Sequence, residues 1–179
     1  MEKQDVQTVD KNSREYLERR MLTSRSDLIV VILFTVINLV LLVVEYDRYL
    51  LFSASVPYYL TVLGKVMDYQ LGGETYMITA LVISAVILAV YLAAWLLSRK
   101  RAGWLTFAAV FFTLDTVALV WFSITLLENP LANILDLVFH LLIVWQLFQG
   151  VRSAKKLREL PEEIPIAQEG YRGTTPELD

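Results

Sequence analysis

The most regular feature of the chain is a series of long apolar stretches separated by short charged segments. A helix that crosses a bilayer needs about 20 mostly apolar residues, because each residue advances roughly 1.5 Å through a hydrocarbon core of roughly 30 Å. Four stretches approach or reach this length, at residues 28–44, 76–98, 104–127 and 131–149. Lipid offers the backbone no hydrogen-bond partners, so each stretch must be helical. The pattern predicts an all-α fold: a four-helix transmembrane bundle over residues 28–150.

Residues 45–75 join the first two predicted spans and contain a further apolar stretch, 49–64, which Ser53, Ser55 and Pro57 interrupt. The distribution of basic residues indicates whether this stretch crosses the membrane, because cytoplasmic segments are enriched in Lys and Arg. With four spans, every basic residue except Arg48 and Lys65 lies in 1–27, 99–103 or 150–179. We therefore expect both termini on the cytoplasmic side of the cell (cytoplasmic) membrane, and a re-entrant or interfacial outer helix within 45–75.

The two ends of the chain carry most of the charge. Residues 12–24 are typical of an amphipathic helix capped by Asn12 or Ser13, within a cytoplasmic segment 1–27. Residues 151–179 are predicted to be a basic helix end followed by a disordered acidic tail from Pro161. Seven basic residues are candidates for contact with anionic lipid headgroups: Arg19, Arg20, Arg99, Lys100, Arg101, Lys155 and Lys156. These residues serve equally well if they only fix the orientation of the chain.

Composition narrows the possible chemistry. Hydrophobic residues make up 56% of the chain, more than the roughly 45–50% of soluble domains. The absence of cysteine excludes disulfides, thiolate metal sites and cysteine catalysis, and the single histidine excludes any site that needs two from one chain. The net charge of −3 gives no indication of a nucleic-acid partner. No motif in the sequence predicts a cofactor or a metal site.

Four of the polar residues inside the predicted spans, here called the intramembrane polar residues, are candidates for a cluster: Asn38, Asp115, Asp136 and His140. Charged groups at bilayer depth usually face protein or water, because each costs roughly 2.5–3.5 kcal/mol on insertion scales. Asp115 and His140 lie near the middle of antiparallel neighbours, and Asp136 is one helical turn from His140. The cluster is interpreted as a hydrogen-bonded network that fixes helix pairing, as a proton or cation relay, or as a metal site or intramembrane hydrolase. A further alternative is that these residues do not meet.

The second predicted span carries Ala85, Ala89 and Ala93 at a spacing of four residues. Such a series of small residues allows the backbone of another helix to approach closely. The partner helix can belong to the same molecule, to a second copy or to another subunit.

The segment that follows the first span, residues 51–59 with the sequence LFSASVPYY, carries a resemblance to other proteins. Together with the four-span layout, it resembles small four-span proteins of bacterial cytoplasmic membranes, over about residues 20–150. The resemblance implies the membrane fold and brings with it no activity and no site residues.

These patterns favour a non-enzymatic membrane protein, an accessory or interaction subunit that forms a homo-oligomer or joins a larger membrane complex. The size supports this expectation, because four helices rarely enclose a full transport pathway without oligomerising. The alternative is an oligomeric proton- or cation-coupled transporter or channel that uses Asp115, Asp136 and His140. A membrane-embedded enzyme or lipid-binding protein is the third interpretation.

Overall fold

The structure, a computed structural model, describes residues 13–46, 48–125 and 133–161. These residues form five helices and, within those ranges, no strand. The helices are α1 (Arg14–Val43), α2 (Ser55–Leu71), α3 (Thr75–Leu97), α4 (Gly103–Thr125) and α5 (Ile134–Glu159). Four of them, α1, α3, α4 and α5, are long and apolar enough to cross a membrane. The all-α fold and the four predicted spans are thereby confirmed at this level, and the chain has the helices of a multi-pass membrane protein.

Helix α1 begins earlier than the first predicted span. Ser13 is its N-cap, and the Ser13 hydroxyl accepts a hydrogen bond from the Tyr16 N–H at 3.3 Å. The predicted amphipathic helix over 12–24 is therefore not a separate element: α1 continues from Arg14 without a break for 30 residues. The physical reason is that no glycine or proline interrupts this stretch, so the charged flank simply extends the apolar helix.

Helices α1 and α5 pack along each other, and Gly150 makes this close approach possible. The Ser24 hydroxyl donates a hydrogen bond to the Gln146 carbonyl at 2.7 Å. A Cβ atom at position 150 would lie 2.2 Å from the Ser24 Oγ, so no larger residue fits there without a shift of the helices. Helix α5 also runs past the predicted end of its span, and the Arg14 guanidinium donates to the Pro161 carbonyl at 3.0 Å.

Helices α2 and α3 form a hairpin whose turn contains Gly72 and Gly73, with φ values of 76° and 137°. Close to the turn, both oxygens of Asp68 accept backbone hydrogen bonds from the start of α3, from the Tyr76 N–H at 2.9 Å and the Met77 N–H at 2.8 Å. One turn of α2 earlier, Gly64 lies directly against α3, where a Cβ would come within 2.8 Å of the Tyr76 carbonyl oxygen. The hairpin is therefore closed by a carboxylate cap and by a glycine contact.

The apolar core lies between α1, α3, α4 and α5. Its fully buried large side chains include Leu28, Tyr91, Leu105, Phe112 and Leu147. Many equally apolar side chains instead point outward, as expected where the surrounding medium is lipid rather than water; Val82, Val117, Trp121, Leu135 and Leu141 are examples. Residues 128–130, which join the last two predicted spans, and the part of the predicted acidic tail beyond Pro161 lie outside the described residues.

Candidate functional site: a buried polar network at the start of α2

The chain reverses direction directly after α1. The Tyr46 N–H donates to the Leu41 carbonyl at 2.9 Å and the Glu45 N–H to the Leu42 carbonyl at 3.3 Å, which is the Schellman pattern of a helix end. Glu45 occupies the left-handed position of this motif, with φ of 57°, where glycine is the usual residue. Residues 48–54 are not helical, and α2 begins at Ser55.

The N-terminus of α2 lies against the middle of α4, where Asp115 accepts two of its backbone hydrogen bonds. The Ser55 N–H donates to Asp115 Oδ2 at 2.7 Å, and the Val56 N–H donates to Asp115 Oδ1 at 2.9 Å. The preceding Ala54 N–H donates to the Thr35 hydroxyl of α1 at 2.7 Å. The first N–H groups of a helix have no partner within it, and the helix dipole favours a negative charge there. Asp115 therefore satisfies both requirements at a buried helix end.

His140 of α5 contacts the same helix end. Its Nε2 lies 2.9 Å from the Ser55 Oγ and 3.4 Å from Asp115 Oδ2, and its ring stacks on Phe112 at a centroid distance of 5.1 Å. Its Nδ1 lies 2.9 Å from the Asp136 carbonyl oxygen, which can only accept, so Nδ1 carries a proton. In the neutral ring, Nε2 therefore accepts from the Ser55 hydroxyl.

Asp136, in the first turn of α5, extends the network to Tyr49. The Tyr49 hydroxyl donates to Asp136 Oδ2 at 2.9 Å, while burial and the nearby Asp136 raise the pKa of Tyr49, so the hydroxyl keeps its proton. The other oxygen, Asp136 Oδ1, is buried, lies 3.5 Å from His140 Nδ1 and has no hydrogen bond to a described residue. Asp136 is thus the carboxylate of the network that has one oxygen without a hydrogen bond to the described residues.

Asn38 of α1 closes the other end of the network. Its side-chain amide exchanges two hydrogen bonds with the backbone of Leu50, both at 2.8 Å, and its Nδ2 also donates to the Ser53 hydroxyl at 2.8 Å. The Ser53 hydroxyl lies 3.0 Å from the Tyr49 hydroxyl. A chain of polar contacts therefore runs from Asn38 through Ser53, Tyr49, Asp136 and His140 to Ser55 and Asp115.

The structure thus brings the four intramembrane polar residues of the sequence, Asn38, Asp115, Asp136 and His140, into one buried network. What the sequence did not reveal is that most of their partners come from residues 49–56. Tyr49, Ser53 and Ser55 are the side chains that sequence reasoning missed. The available signal was the pair of serines within an apolar stretch, which we interpreted only as an interruption of a span.

The other predicted site residues lie elsewhere. Ala85, Ala89 and Ala93 are exposed on α3, so they do not pack inside this molecule. Arg20 contacts the rings of Tyr16 and Trp145, and the Arg99 guanidinium lies 5.0 Å from the Trp95 ring centroid. Of the candidates for headgroup contact, Arg20 is half-buried and the rest are exposed: Arg19, Arg99, Lys100, Arg101, Lys155 and Lys156.

The chemistry open to the network follows from its composition. It contains two carboxylates, one imidazole and several hydroxyls, which can hold backbone groups in place or pass protons. Among the described residues, no three His, Cys, Asp or Glu side chains are grouped so that they could hold a metal ion. Comparisons with family models, with curated proteins and with solved structures gave no match.

Proposed function

We propose that this protein is a non-enzymatic, multi-pass subunit of the cytoplasmic membrane that assembles with other membrane helices through the outer face of α3. The observation that carries the proposal is the exposure of Ala85, Ala89 and Ala93 in the isolated molecule. On a helix, positions four residues apart share a face, so the three alanines form one stripe. The buried residues of α3, Ala80, Ser84, Tyr91 and Ala94, lie on the opposite face. A small-residue stripe of this kind permits close packing of a further helix.

The proposed topology places both termini in the cytoplasm. Basic residues at the start of α1, between α3 and α4 and at the end of α5 all lie at one end of an up-and-down bundle, which supports this orientation. The exposed basic side chains there would contact anionic headgroups. The segment after α1 returns to the middle of α4 before α2 starts, which supports a re-entrant path for residues 45–54. Its polar backbone is tolerated at that depth because the network surrounds it with protein.

The network has a structural role in this proposal. Its two best-partnered residues, Asp115 and Asn38, bind backbone groups rather than each other, so they fix residues 50–56 in place. All four intramembrane polar residues are at most 4% exposed. If the network only holds the bundle together, the residues that carry the function lie on the surface of the molecule.

Cysteine cross-linking in native membranes tests the assembly. The natural chain has no cysteine, so Ala89→Cys introduces a single thiol on the α3 stripe. We expect mild oxidation to join the thiols of two copies in a disulfide and to give an adduct of twice the monomer mass for self-association, or of another mass where a different subunit brings its own cysteine to the contact. Val117→Cys, at a side chain of α4 that is 61% exposed, is the matched control and should give far less adduct.

A second variant tests whether the cross-linked adduct reflects helix packing at the α3 stripe or random collision in the membrane. Replacing Ala85, Ala89 and Ala93 together by leucine should dissociate the assembly in a mild detergent, because larger side chains hold the helices apart. Val110→Leu with Val117→Leu on α4 should leave it intact. Equal adduct at positions 89 and 117, together with an unchanged particle mass of the triple variant, would contradict the proposal.

A proton relay is the second candidate, and one observation favours it. The Tyr49 hydroxyl lies 3.0 Å from the Ser53 hydroxyl and 2.9 Å from Asp136 Oδ2. The other carboxylate oxygen, Asp136 Oδ1, has no hydrogen bond to a described residue and lies 3.5 Å from His140 Nδ1, and His140 Nε2 lies 2.9 Å from the Ser55 Oγ. These side chains can carry protons and form a series across the network. In liposomes containing the purified protein, a relay would acidify the lumen under an imposed potential, and Asp136→Asn would stop the flux. Wild-type vesicles as tight as empty ones would eliminate this candidate.

A further inference from the structure

A cavity of about 560 Å³ opens beside the turn that follows α1. It is bounded by the end of α1, the first residues of the returning segment and one face of α2; its lining residues are Leu42, Glu45, Tyr46, Arg48, Tyr49, Tyr58 and Lys65. Its volume falls within the roughly 300–1,000 Å³ of small-molecule sites. The cavity is lined by Arg48 and Lys65, the two basic residues that lie outside the predicted cytoplasmic segments.

The charges of this cavity are unequal. The Lys65 Nζ lies 2.9 Å from the Glu45 Oε1, and this hydrogen bond lowers the pKa of Glu45, so both groups are ionised and neutralise each other. Arg48 donates its backbone N–H to the Tyr46 carbonyl at 2.8 Å. Within the described residues, its guanidinium makes no ion pair. Among the described residues that line the cavity, one positive charge is therefore not balanced by a carboxylate.

The rest of the wall is aromatic and firmly held. The rings of Tyr49 and Tyr58 lie 4.7 Å apart between centroids, and the Tyr49 hydroxyl is fixed by Asp136. Tyr46 is 57% exposed at the mouth. Tyrosine is suited to a membrane–water interface because its ring is apolar and its hydroxyl is polar. The wall therefore combines the apolar faces of aromatic rings with one tyrosine, Tyr46, that is exposed at the mouth.

The backbone conformation of Glu45 indicates that specific contacts hold the wall of the cavity in place. A glutamate in the left-handed region is less favourable than glycine, and such backbone strain persists only where the surrounding contacts hold it. The contact that Glu45 adds here is its ion pair with Lys65, which joins the end of α1 to α2 across the cavity.

We propose that this cavity binds a phosphate-bearing headgroup through Arg48. The guanidinium fork matches two phosphate oxygens in one plane, and such charge-assisted pairs are stronger than neutral hydrogen bonds. Tyr46 and Tyr58 would flank the glycerol or other polar group that carries the phosphate. The placement of the cavity at the outer interface rests on the proposed topology, whereas phosphate recognition rests only on the residues of the cavity.

Calorimetric titration of the full-length protein in a non-ionic detergent tests this proposal with three probes. Dioctanoyl phosphatidylglycerol carries both chains and phosphate, glycerol phosphate carries the headgroup alone, and dioctanoylglycerol lacks the phosphate. We expect saturable binding of the first. The Arg48→Gln variant should raise its Kd by roughly ten- to a hundredfold, because a charge-assisted contact is lost. Arg48→Lys should lie between, since the charge remains but the planar fork does not.

The control variant is Arg25→Gln, which removes the same charge from a half-buried guanidinium whose Nε donates to the Ser98 hydroxyl at 3.0 Å, at the other end of the bundle. Its Kd should equal that of the wild type. Binding of phosphatidylglycerol alone supports a lipid as the source of the phosphate, and comparable binding of glycerol phosphate supports a soluble phosphoester. Equal affinity for dioctanoylglycerol, equal weakening by Arg25→Gln, or an unchanged Kd of Arg48→Gln would overturn the proposal. None of these outcomes depends on whether the α3 stripe assembles.

Discussion

Asp115 and Asp68 perform the same chemical task at two helix N-termini, in very different surroundings. Each carboxylate accepts two backbone N–H groups within 2.7–2.9 Å, Asp115 from the start of α2 and Asp68 from the start of α3. Asp68 lies only 8 and 9 residues from its donors and closes a local hairpin. Asp115 lies 60 and 59 residues from its donors and joins two helices that a long stretch of chain separates.

The two sites also differ in what surrounds the carboxylate. Within the described residues, the Asp68 carboxylate has hydrogen bonds only to backbone N–H groups, near the Gly72–Gly73 turn. Asp115 Oδ2 also lies 3.4 Å from His140 Nε2, and the other ring nitrogen of His140 lies 3.5 Å from Asp136 Oδ1. The comparison indicates that one cap chemistry serves two purposes: at Asp68 it shapes a turn, and at Asp115 it locates a segment within the bundle.

The largest effect is expected from Asp115→Ala. This change leaves the buried Ser55 and Val56 N–H groups and His140 without their carboxylate, and losing one partner of a buried charged contact costs about 3–5 kcal/mol. The free energy of unfolding, from denaturant titration in mixed micelles, measures it. Asp115→Asn keeps one acceptor oxygen and should lose less. A loss no larger than that of Asp68→Ala would remove the distinction between the two caps.

The next largest effect is expected from Gly64→Ala, which changes the α2–α3 hairpin that Asp68 also closes. The new Cβ would lie 2.8 Å from the Tyr76 carbonyl oxygen and 2.9 Å from the Ala80 Cβ, so α2 and α3 must separate. Such overpacking costs about 1–3 kcal/mol in the free energy of unfolding. Gly103→Ala is the control, since its Cβ would meet nothing within 4 Å. Equal stability of both variants would show that the hairpin tolerates a wider spacing.

Asp68→Ala should have the smallest effect of the three. Loss of a helix cap costs about 0.5–2 kcal/mol, and solvent near the turn can replace part of the missing contact. The matched control is Glu74→Ala, because Glu74 occupies the N-cap position of α3 without a side-chain hydrogen bond. Its unfolding free energy should match that of the wild type. A loss at Glu74 that equalled the loss at Asp68 would refute the capping role of Asp68.

Much of the fold could be predicted because long apolar stretches have few alternatives in lipid. The predicted spans 76–98 and 104–127 lie almost on α3 and α4. The start of α1 was also predictable, because Ser13 is one of the two caps expected for the amphipathic helix. Its continuation into the first span was not predicted, because the charged residues and the apolar residues indicate two separate elements. Asp136 and His140, one turn apart on one helix, were predictable as a pair from their spacing alone.

The cap at Asp115 could not be predicted from the sequence. Its donors are backbone N–H groups, which are the same at every residue except proline, so no residue type marks Ser55 or Val56 as partners. Residues 46–54 show neither helical nor strand periodicity, so their return toward α4 left no pattern. The proposed role of the α3 stripe depends on the helix that packs against it, and the sequence of this chain alone does not identify that helix.

The distance in sequence between Asp115 and its donors also sets an order for biosynthesis. Ser55 and Val56 leave the ribosome 60 and 59 residues before Asp115 does. At roughly 5–20 residues per second, the carboxylate follows about 3–12 s later. During this interval the start of α2 has no acceptor from α4, so its N–H groups need other hydrogen-bond partners. The start of α2 can take its final position only after α4 has been made, which places this contact late in the maturation of the protein.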